Sequence, residues 1–276
     1  MSLVLRRAGR VTLYLFLTVG AVAMLYPLFW MATSAFKPLA EVMQVPPTWW
    51  PQHPTLDNFK AVFRQIPFAQ FFVNSVIVSA VCVVSVTLTS AAAGYALAKF
   101  RFRGRELVFY ILVASLVVPF QSRMIPLYEL ALDLHIKNTL LGVIFPWLVD
   151  AFGVFLMRQF MLSVPDELIE AARVDGAGEI RIFTRIVMPL TISAMSTVAI
   201  FTFLATWEEF LWPLIITDDN HARTIPVGLQ TFSEQYLTNV HWQMAGALVA
   251  TIPLFLMFAF FQRQIIAGIA MSGLKG

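Results

Sequence analysis

The chain of 276 residues is 59% hydrophobic and only 13% charged, with a mean hydropathy of +0.75 and a formal net charge of +3. Soluble domains carry about a quarter charged residues, so this composition excludes an ordinary water-soluble domain and points to lipid. The basic excess is scattered between apolar runs and gives no support for nucleic-acid binding.

A membrane-crossing helix needs about 20 mostly apolar residues. Residues 11–36 form an apolar run of 26 without a charge, preceded by Arg6, Arg7 and Arg10. That run is longer than a secretory signal core, and no small-x-small cleavage site precedes Lys37, so it is read as a retained first helix. Residues 37–70 follow as a polar segment with Pro46-Pro47-Thr48-Trp49-Trp50-Pro51, a pattern expected of an irregular stretch at headgroup level. Within it, 57–68 has Phe59, Val62, Phe63 and Ile66 at helical spacing and predicts a short amphipathic helix.

Five further spans are expected at 71–98, 107–128, 138–161, 187–217 and 242–262. The third carries Arg123, the fourth Asp150 and Arg158, and the fifth Glu208 and Glu209. The predicted fold is an all-α integral membrane protein of six helices in one domain, with no internal repeat. With both termini in the cytoplasm, inner segments hold thirteen Lys and Arg residues and outer segments six, which favours that orientation. Cys82 stands alone, so no intrachain disulfide forms, and its place in the second span reads as packing. His53, His135, His221 and His241 are dispersed and suggest no metal site.

Between the fourth and fifth spans lies the least expected segment. Ser163-x-x-Asp166, with Pro165 in the first turn, reads as a helix start. Asp166, Glu167 and Glu170 place negative charge near the helix N-terminus, where the macrodipole favours it. Leu168, Ala171 and Ala172, with Ile169 beside them, form an apolar stripe with small residues at its centre. Gly176 is placed to end the helix at positive φ, and a second helical stretch with Ile180, Phe183, Ile186 and Val187 runs to Pro189. An ordered element of this kind, on the face assigned to the cytoplasm, is the expected docking surface for another protein.

The spacing Glu170-Ala171-Ala172, then Gly176, then Ile186-x-Met188-Pro189 resembles the signature loop of the inner-membrane permease subunits of ABC importers. Met188 stands where that family usually has leucine. The string from Pro165 to Ala177 is similar to the carbohydrate-uptake branch, the maltose-type permeases. The similarity continues at Asn74-Ser75, Phe152-Gly153-Val154-Phe155, Arg158-Gln159-Phe160, Trp207-x-Glu209-Phe210-Leu211-Trp212-Pro213, Gln262-Arg263, Gly268 and Gly273-Leu274-Lys275-Gly276.

The resemblance implies one ABC transporter transmembrane domain over residues 1–276 of a bacterial inner membrane, with a coupling loop at 163–188. Its implied partners are a second permease chain, two cytoplasmic ATPase subunits and an extracytoplasmic solute-binding protein. Glu170, Ala171, Ala172, Asp175, Gly176 and Ala177 would form the ATPase-coupling surface. Glu170 would supply charged contacts, the alanines a close approach, Gly176 the turn, and Asp175 a local pair or a cap for the second helix. The implied cargo is a sugar or oligosaccharide, with a phosphorylated polyol or a peptide as the alternative.

The chain has no Gly-x-x-x-x-Gly-Lys-Ser/Thr loop, His-Glu-x-x-His pair or Gly-x-Ser-x-Gly elbow. It is therefore not expected to be an enzyme or to carry a cofactor, and ATP with Mg would be bound by the partner ATPase. Candidate path residues are Asn74, Asp150, Trp207, Glu208 and Glu209. Asp150 and Glu208 depart from the family pattern, since small or neutral residues and asparagine are usual there. The carboxylates either face substrate or pair structurally, and Trp207 either stacks on a sugar ring or packs between helices. A secondary transporter is the rival class, disfavoured because no paired repeats or broken helices are evident.

Overall fold

The computed structural model describes the backbone of residues 2–234 and 239–273 and the side chains of residues 10–232 and 239–262. Leu274, Lys275 and Gly276, the end of the family-like string, lie outside the described residues. Among those described, every regular element is a helix. Three of the described helices are continuous and apolar enough to cross a membrane. These are Arg10–Ser34 within α1 (Ser2–Ser34), α4 (Phe68–Lys99), and Val240–Gln262 within α15 (Val240–Gly273).

The other three spans are bent pairs, and this corrects the expectation of unbroken helices. α5 (Arg105–Ser115) and α6 (Phe120–Asp133) meet at 100°. Leu140–Trp147, which contains α7 (Leu140–Ile144), meets α8 (Ala151–Leu162) at 44°. Glu179–Leu190, which contains α10 (Glu179–Ile182) and α11 (Met188–Leu190), meets α12 (Ile192–Glu208) at 78°. Local chemistry makes each break. Pro119 sits extended at the N-cap of α6. Asp150 caps α8 with its own carboxylate, and Thr191, with φ −108° and ψ 17°, separates α11 from α12. Mean hydropathy over a window carries no direction, so these interruptions are invisible to it. Broken helices are thus present, and they no longer count against a secondary transporter.

The chain gathers into two compact units, each discontinuous in sequence. The first comprises Met1–Phe68 with Gly228–Ile252. It contains α1, the one-turn α2 (Leu39–Val42) and α3 (Asp57–Gln65). The segment after α1 is organised by two buried charges. Glu41 accepts the N–H of Gln52 at 2.8 Å, the Thr48 hydroxyl at 3.0 Å and the N–H of His53 at 3.3 Å. Burial opposes its charge, but these donors and nearby Lys37 outweigh burial and hold the carboxyl below its ordinary range. Lys37 is fully buried, donates to the Thr48 carbonyl and lies 4.6 Å from the Trp30 ring centroid. Burial pushes its ammonium down, with Glu41 opposing.

Trp49 and Trp50, both mostly exposed, stack edge-on against Tyr26 and Phe29 of α1. Exposed tryptophans packed at the end of an apolar span fit the expected interfacial aromatic girdle. The amphipathic α3 is present, but its buried face runs through Asn58, Val62 and Ile66, while Phe63 is half exposed. The Asn58 amide donates to the carbonyls of Ala35 (2.9 Å) and Lys37 (2.8 Å), so a polar residue anchors the side expected to be purely apolar.

The second unit is Ala69–Val227 with Pro253–Gly276. α4 is packed along its length. Its start joins Val78 and fully buried Cys82 to Ala131, Val143, Trp212 and Ile216. Its end joins Tyr95 and Ala98 to Met157, Met161, Ile169, Ala172, Ile182 and Val187. Small residues permit the approach of α8, as expected for helix contacts inside lipid. A Cβ at Gly153 would fall 2.3 Å from Ser90 Oγ. After α12 come α13 (Leu211–Ile216) and α14 (Ile225–Glu234), so the fifth span stops earlier than residue 217.

Candidate functional site

A helical hairpin joins the fourth span to the fifth, and the bent first half of the fifth span supplies its second arm. Its first arm is α9 (Asp166–Val174) and its second is α10, followed by a π-helical turn over Phe183–Val187. The expected start signal works differently from its reading. Ser163 ends α8, and its hydroxyl donates back to the Phe160 carbonyl at 2.6 Å. Pro165 occupies the N-cap of α9 and supplies no side-chain bond. The first turn is held instead by Lys99, the last residue of α4. Its Nζ donates to Asp166 Oδ1 at 2.6 Å and to the Val164 carbonyl. The Lys99 hydrogen bond, then its charge, holds the Asp166 carboxyl below the ordinary range.

The apolar stripe divides between two faces. Ile169 and Ala172 are buried against Tyr95, Met157, Met161 and Ile182. Leu168, Glu170, Ala171 and Val174 face outward, Val174 at 87% exposure. A spacing of three between Ile169 and Ala172 keeps one seam inward and leaves the rest of the helix bare.

The turn follows the expected chemistry. Gly176 has φ +78°, its N–H donates to the Arg173 carbonyl at 3.0 Å, and the Ala177 N–H donates to the Ala172 carbonyl at 2.9 Å. These paired bonds are the Schellman closure of a helix end, and they satisfy carbonyls that α9 leaves free. Asp175 is the C-cap through its backbone. It does not cap the second arm, whose N-cap is Gly178. The tie across the turn comes from Glu179, which the sequence reading passed over. Its Oε1 accepts Arg173 Nε at 2.7 Å and its Oε2 accepts the Tyr95 hydroxyl at 2.9 Å.

A second feature lies within the same unit, at the breaks of the third and fourth spans. A cavity of about 360 Å³ is lined by Ser115, Leu116 and Val118 from one break and by Pro146, Trp147, Val149 and Asp150 from the other. Arg123, Phe152, Phe201, Thr202 and Thr206 add to its polar and aromatic lining. Irregular backbone at membrane depth is tolerated where it is buried in protein or borders a water-filled space, so breaks and cavity explain each other. Asp150 Oδ2 accepts the Gly153 N–H at 2.8 Å. Arg123 lies 5.7 Å from the ring centroid of Phe120, which in turn stacks on Trp147 at 4.7 Å. The Trp147 indole N–H is shielded from solvent and has no partner.

Of the candidate path residues, this cavity takes in Asp150 alone. Asn74 is buried and donates to the carbonyls of His221 (2.9 Å) and Arg223 (2.8 Å), pinning the loop after α13. Trp207 is 4% exposed, with Phe72 edge-on at 5.7 Å and Phe203 stacked at 5.4 Å. Glu208 is exposed at the end of α12, and Glu209 accepts the Trp212 N–H at 3.0 Å. Thr202 and Thr206 were missed, although hydroxyls four apart in an apolar run mark one polar face of a helix. Among the described residues no three His, Cys, Asp or Glu side chains gather where a metal ion could sit.

Residues 85–270 match the family described as binding-protein-dependent transport system inner membrane component. The chain is 38% identical to the arabinooligosaccharides transport system permease protein AraQ of Halalkalibacterium halodurans, over 94% of this chain and 96% of that one. It is 30% identical to the lactose transport system permease protein LacG of Rhizobium radiobacter, over 99% of both. In structure it is similar to a chain of a bacterial ABC transporter involved in the import of the acidic polysaccharide alginate. The TM-score is 0.82 at 22% identity, over 93% of this chain and 96% of that one, a likeness of fold. With a family match across most of its length and relatives of this identity, the chain belongs to the binding-protein-dependent transport system inner membrane components.

Proposed function

We propose that this chain is one permease half of an ATP-driven bacterial importer that moves a sugar or oligosaccharide delivered by a binding protein. The cargo class rests on the arabinooligosaccharide and lactose permeases it resembles. Both termini lie in the cytoplasm in this reading, as the thirteen-to-six division of basic residues favours. A second permease chain completes the pathway, and two separate cytoplasmic subunits bind and hydrolyse ATP. The rival secondary transporter finds no support in the family match.

The observation that carries the reading is the hairpin. It spends Ile169 and Ala172 on anchoring and leaves Leu168, Glu170, Ala171 and Val174 uncovered. An ATPase cleft closing on ATP would push this rigid element and switch the permease by rigid-body motion. Replacing Glu170 by tryptophan and Gly176 by valine together tests it by co-purification and ATPase activity in the reconstituted complex. Glu170 is exposed, and nothing lies within 4 Å of a Cβ on Gly176, so the second change acts through its positive φ. A branched residue in that conformation costs about 1–3 kcal/mol and reshapes the turn. Loss of the ATPase subunit, or of stimulated hydrolysis, is expected. A complex that assembles and couples as before would remove the hairpin from the coupling role.

The cavity is the proposed stretch of the sugar path, with Asp150 and Arg123 as polar contacts and Trp147 and Phe152 as aromatic walls. Asp150→Asn separates path from cap, because the amide oxygen still accepts the Gly153 N–H while the charge is gone. Transport by the variant should fall while its thermal stability holds. Unchanged transport would leave Asp150 as a helix cap only, a role worth about 1 kcal/mol.

A further inference from the structure

The last turns of α4 hold both arms of the hairpin. Tyr95 donates its hydroxyl to Glu179 Oε2 at 2.9 Å, at the first residue of α10. Four residues later, Lys99 donates to Asp166 Oδ1 at 2.6 Å, at the first residue of α9. Residues four apart share a helix face and stand about 6 Å apart along the axis. Glu179 also accepts Arg173 Nε at 2.7 Å, which locks the two arms to each other. The Tyr95 ring packs between Phe100 (5.4 Å) and Phe183 (5.2 Å), and the Lys99 side chain is only 5% exposed. Little water reaches either donor, but the Asp166 and Glu179 carboxylates are 68% and 40% exposed, so the two bonds act by fixing geometry more than by their strength.

A single tether would let the hairpin swivel on α4. Two, on one stripe and gripping different arms, remove that freedom. We propose that Tyr95 and Lys99 are positioning residues that make the hairpin and the second span one mechanical body, so that displacement of the hairpin tilts α4. The proposal rests on the coupling role given to the hairpin above and names the residues through which that role acts. Glu179, outside the matching signature string, becomes the keystone of the linkage, and Asp166 the second anchor. α4 then carries the motion onward, because its Leu97 carbonyl accepts Arg158 Nε of α8 at 3.2 Å.

The test uses the intact transporter in nanodiscs, in a Cys82→Ala background. Spin labels are attached at Val174 on the hairpin and at Val73 near the start of α4, both more than half exposed. Their distance is measured without nucleotide and with ATP plus vanadate. The parent should give one narrow distribution, the same in both states. In the Tyr95→Phe/Lys99→Met double variant the distribution should broaden and shift with ATP–vanadate, and transport per ATP hydrolysed should fall about tenfold, a typical size for a lost coupling. Lys99→Arg with Tyr95 intact, which keeps the charge and both tethers, should retain most of the parent's transport.

A double variant with the parent's distributions in both states would overturn the proposal. So would a parent whose hairpin-to-α4 distance changes with ATP–vanadate. Should the double variant fail to assemble, Tyr95→Phe alone removes one hydroxyl and decides the matter by the same distance measurement. Crosslinking from Val174→Cys to the ATPase subunit guards the underlying reading. If no crosslink forms in the parent, the hairpin's coupling role fails. If it forms while the double variant keeps the parent's distances, the linkage alone fails.

Discussion

Valine at position 94 should prevent accumulation of well-folded permease. α4 and α8 cross at Gly94, where an added Cβ would lie 2.7 Å from Met157 Cβ, 2.9 Å from the Arg158 backbone nitrogen and 3.0 Å from the Met157 carbonyl carbon. Two of these neighbours are backbone and the third is a Cβ, so no rotamer change relieves the clash. Overpacking a dense interior costs about 1–3 kcal/mol even where side chains can yield. Here the helices must separate, which also opens the packing around fully buried Met157. Against a total stability of about 5–15 kcal/mol, that loss is large. Gly20→Val is the matched control, since nothing lies within 4 Å of a Cβ there. Size-exclusion profiles and melting curves in detergent should show aggregation or a strongly lowered Tm for Gly94→Val and little change for Gly20→Val. Equal behaviour of the two would mean that α4 and α8 do not meet as closely as described.

How much of this was legible in the sequence depends on the kind of signal each feature leaves. The six spans were read from hydropathy alone, because burial in lipid demands long apolar runs whatever the fold. The hairpin turn was equally plain, since Gly176 at positive φ is a local requirement that glycine meets at little cost. The breaks in spans three to five were not. Pro119, Asp150 and Thr191 stood in view, but a proline or a capping carboxylate inside an apolar run also fits a kinked or paired helix.

The site residues divide in the same way. Asp150 was picked out by the cost of a carboxylate at membrane depth, and it does line the cavity. Asn74 and Trp207 are of types that suit a sugar path, yet one secures a loop and the other packs among aromatics. The ties of Lys99 to Asp166 and of Tyr95 to Glu179 link residues 67 and 84 positions apart, and no local pattern announces such pairs.

Arg158 shows the same limit, and it supports the other large prediction. Counted by sequence among the inner basic residues, it is a buried residue of α8. Its Nη2 donates to both Glu106 oxygens at 2.8 and 3.0 Å, and its guanidinium lies 3.8 Å from the Phe109 ring centroid. Its Nε serves the Leu97 carbonyl, one of the last four of α4 and so without a partner inside that helix. The two ends of the ion pair sit in different surroundings, the Arg158 side chain 8% exposed and the Glu106 side chain 49%.

This asymmetry fixes which deletion hurts more. Glu106→Leu strands a buried cation, the case for which losses of about 3–5 kcal/mol are typical. Arg158→Met leaves a carboxylate that water and Arg105 can still reach, while methionine fills much of the space. Its cost should be about 1–2 kcal/mol, mainly the unserved carbonyl and the lost ring contact. The double variant, with no charge left to strand, should be more stable than Glu106→Leu alone. Melting temperatures of the three variants in detergent would check the order. Finding Arg158→Met the worst of them would mean that Glu106, not Arg158, is the end of the pair that water cannot reach.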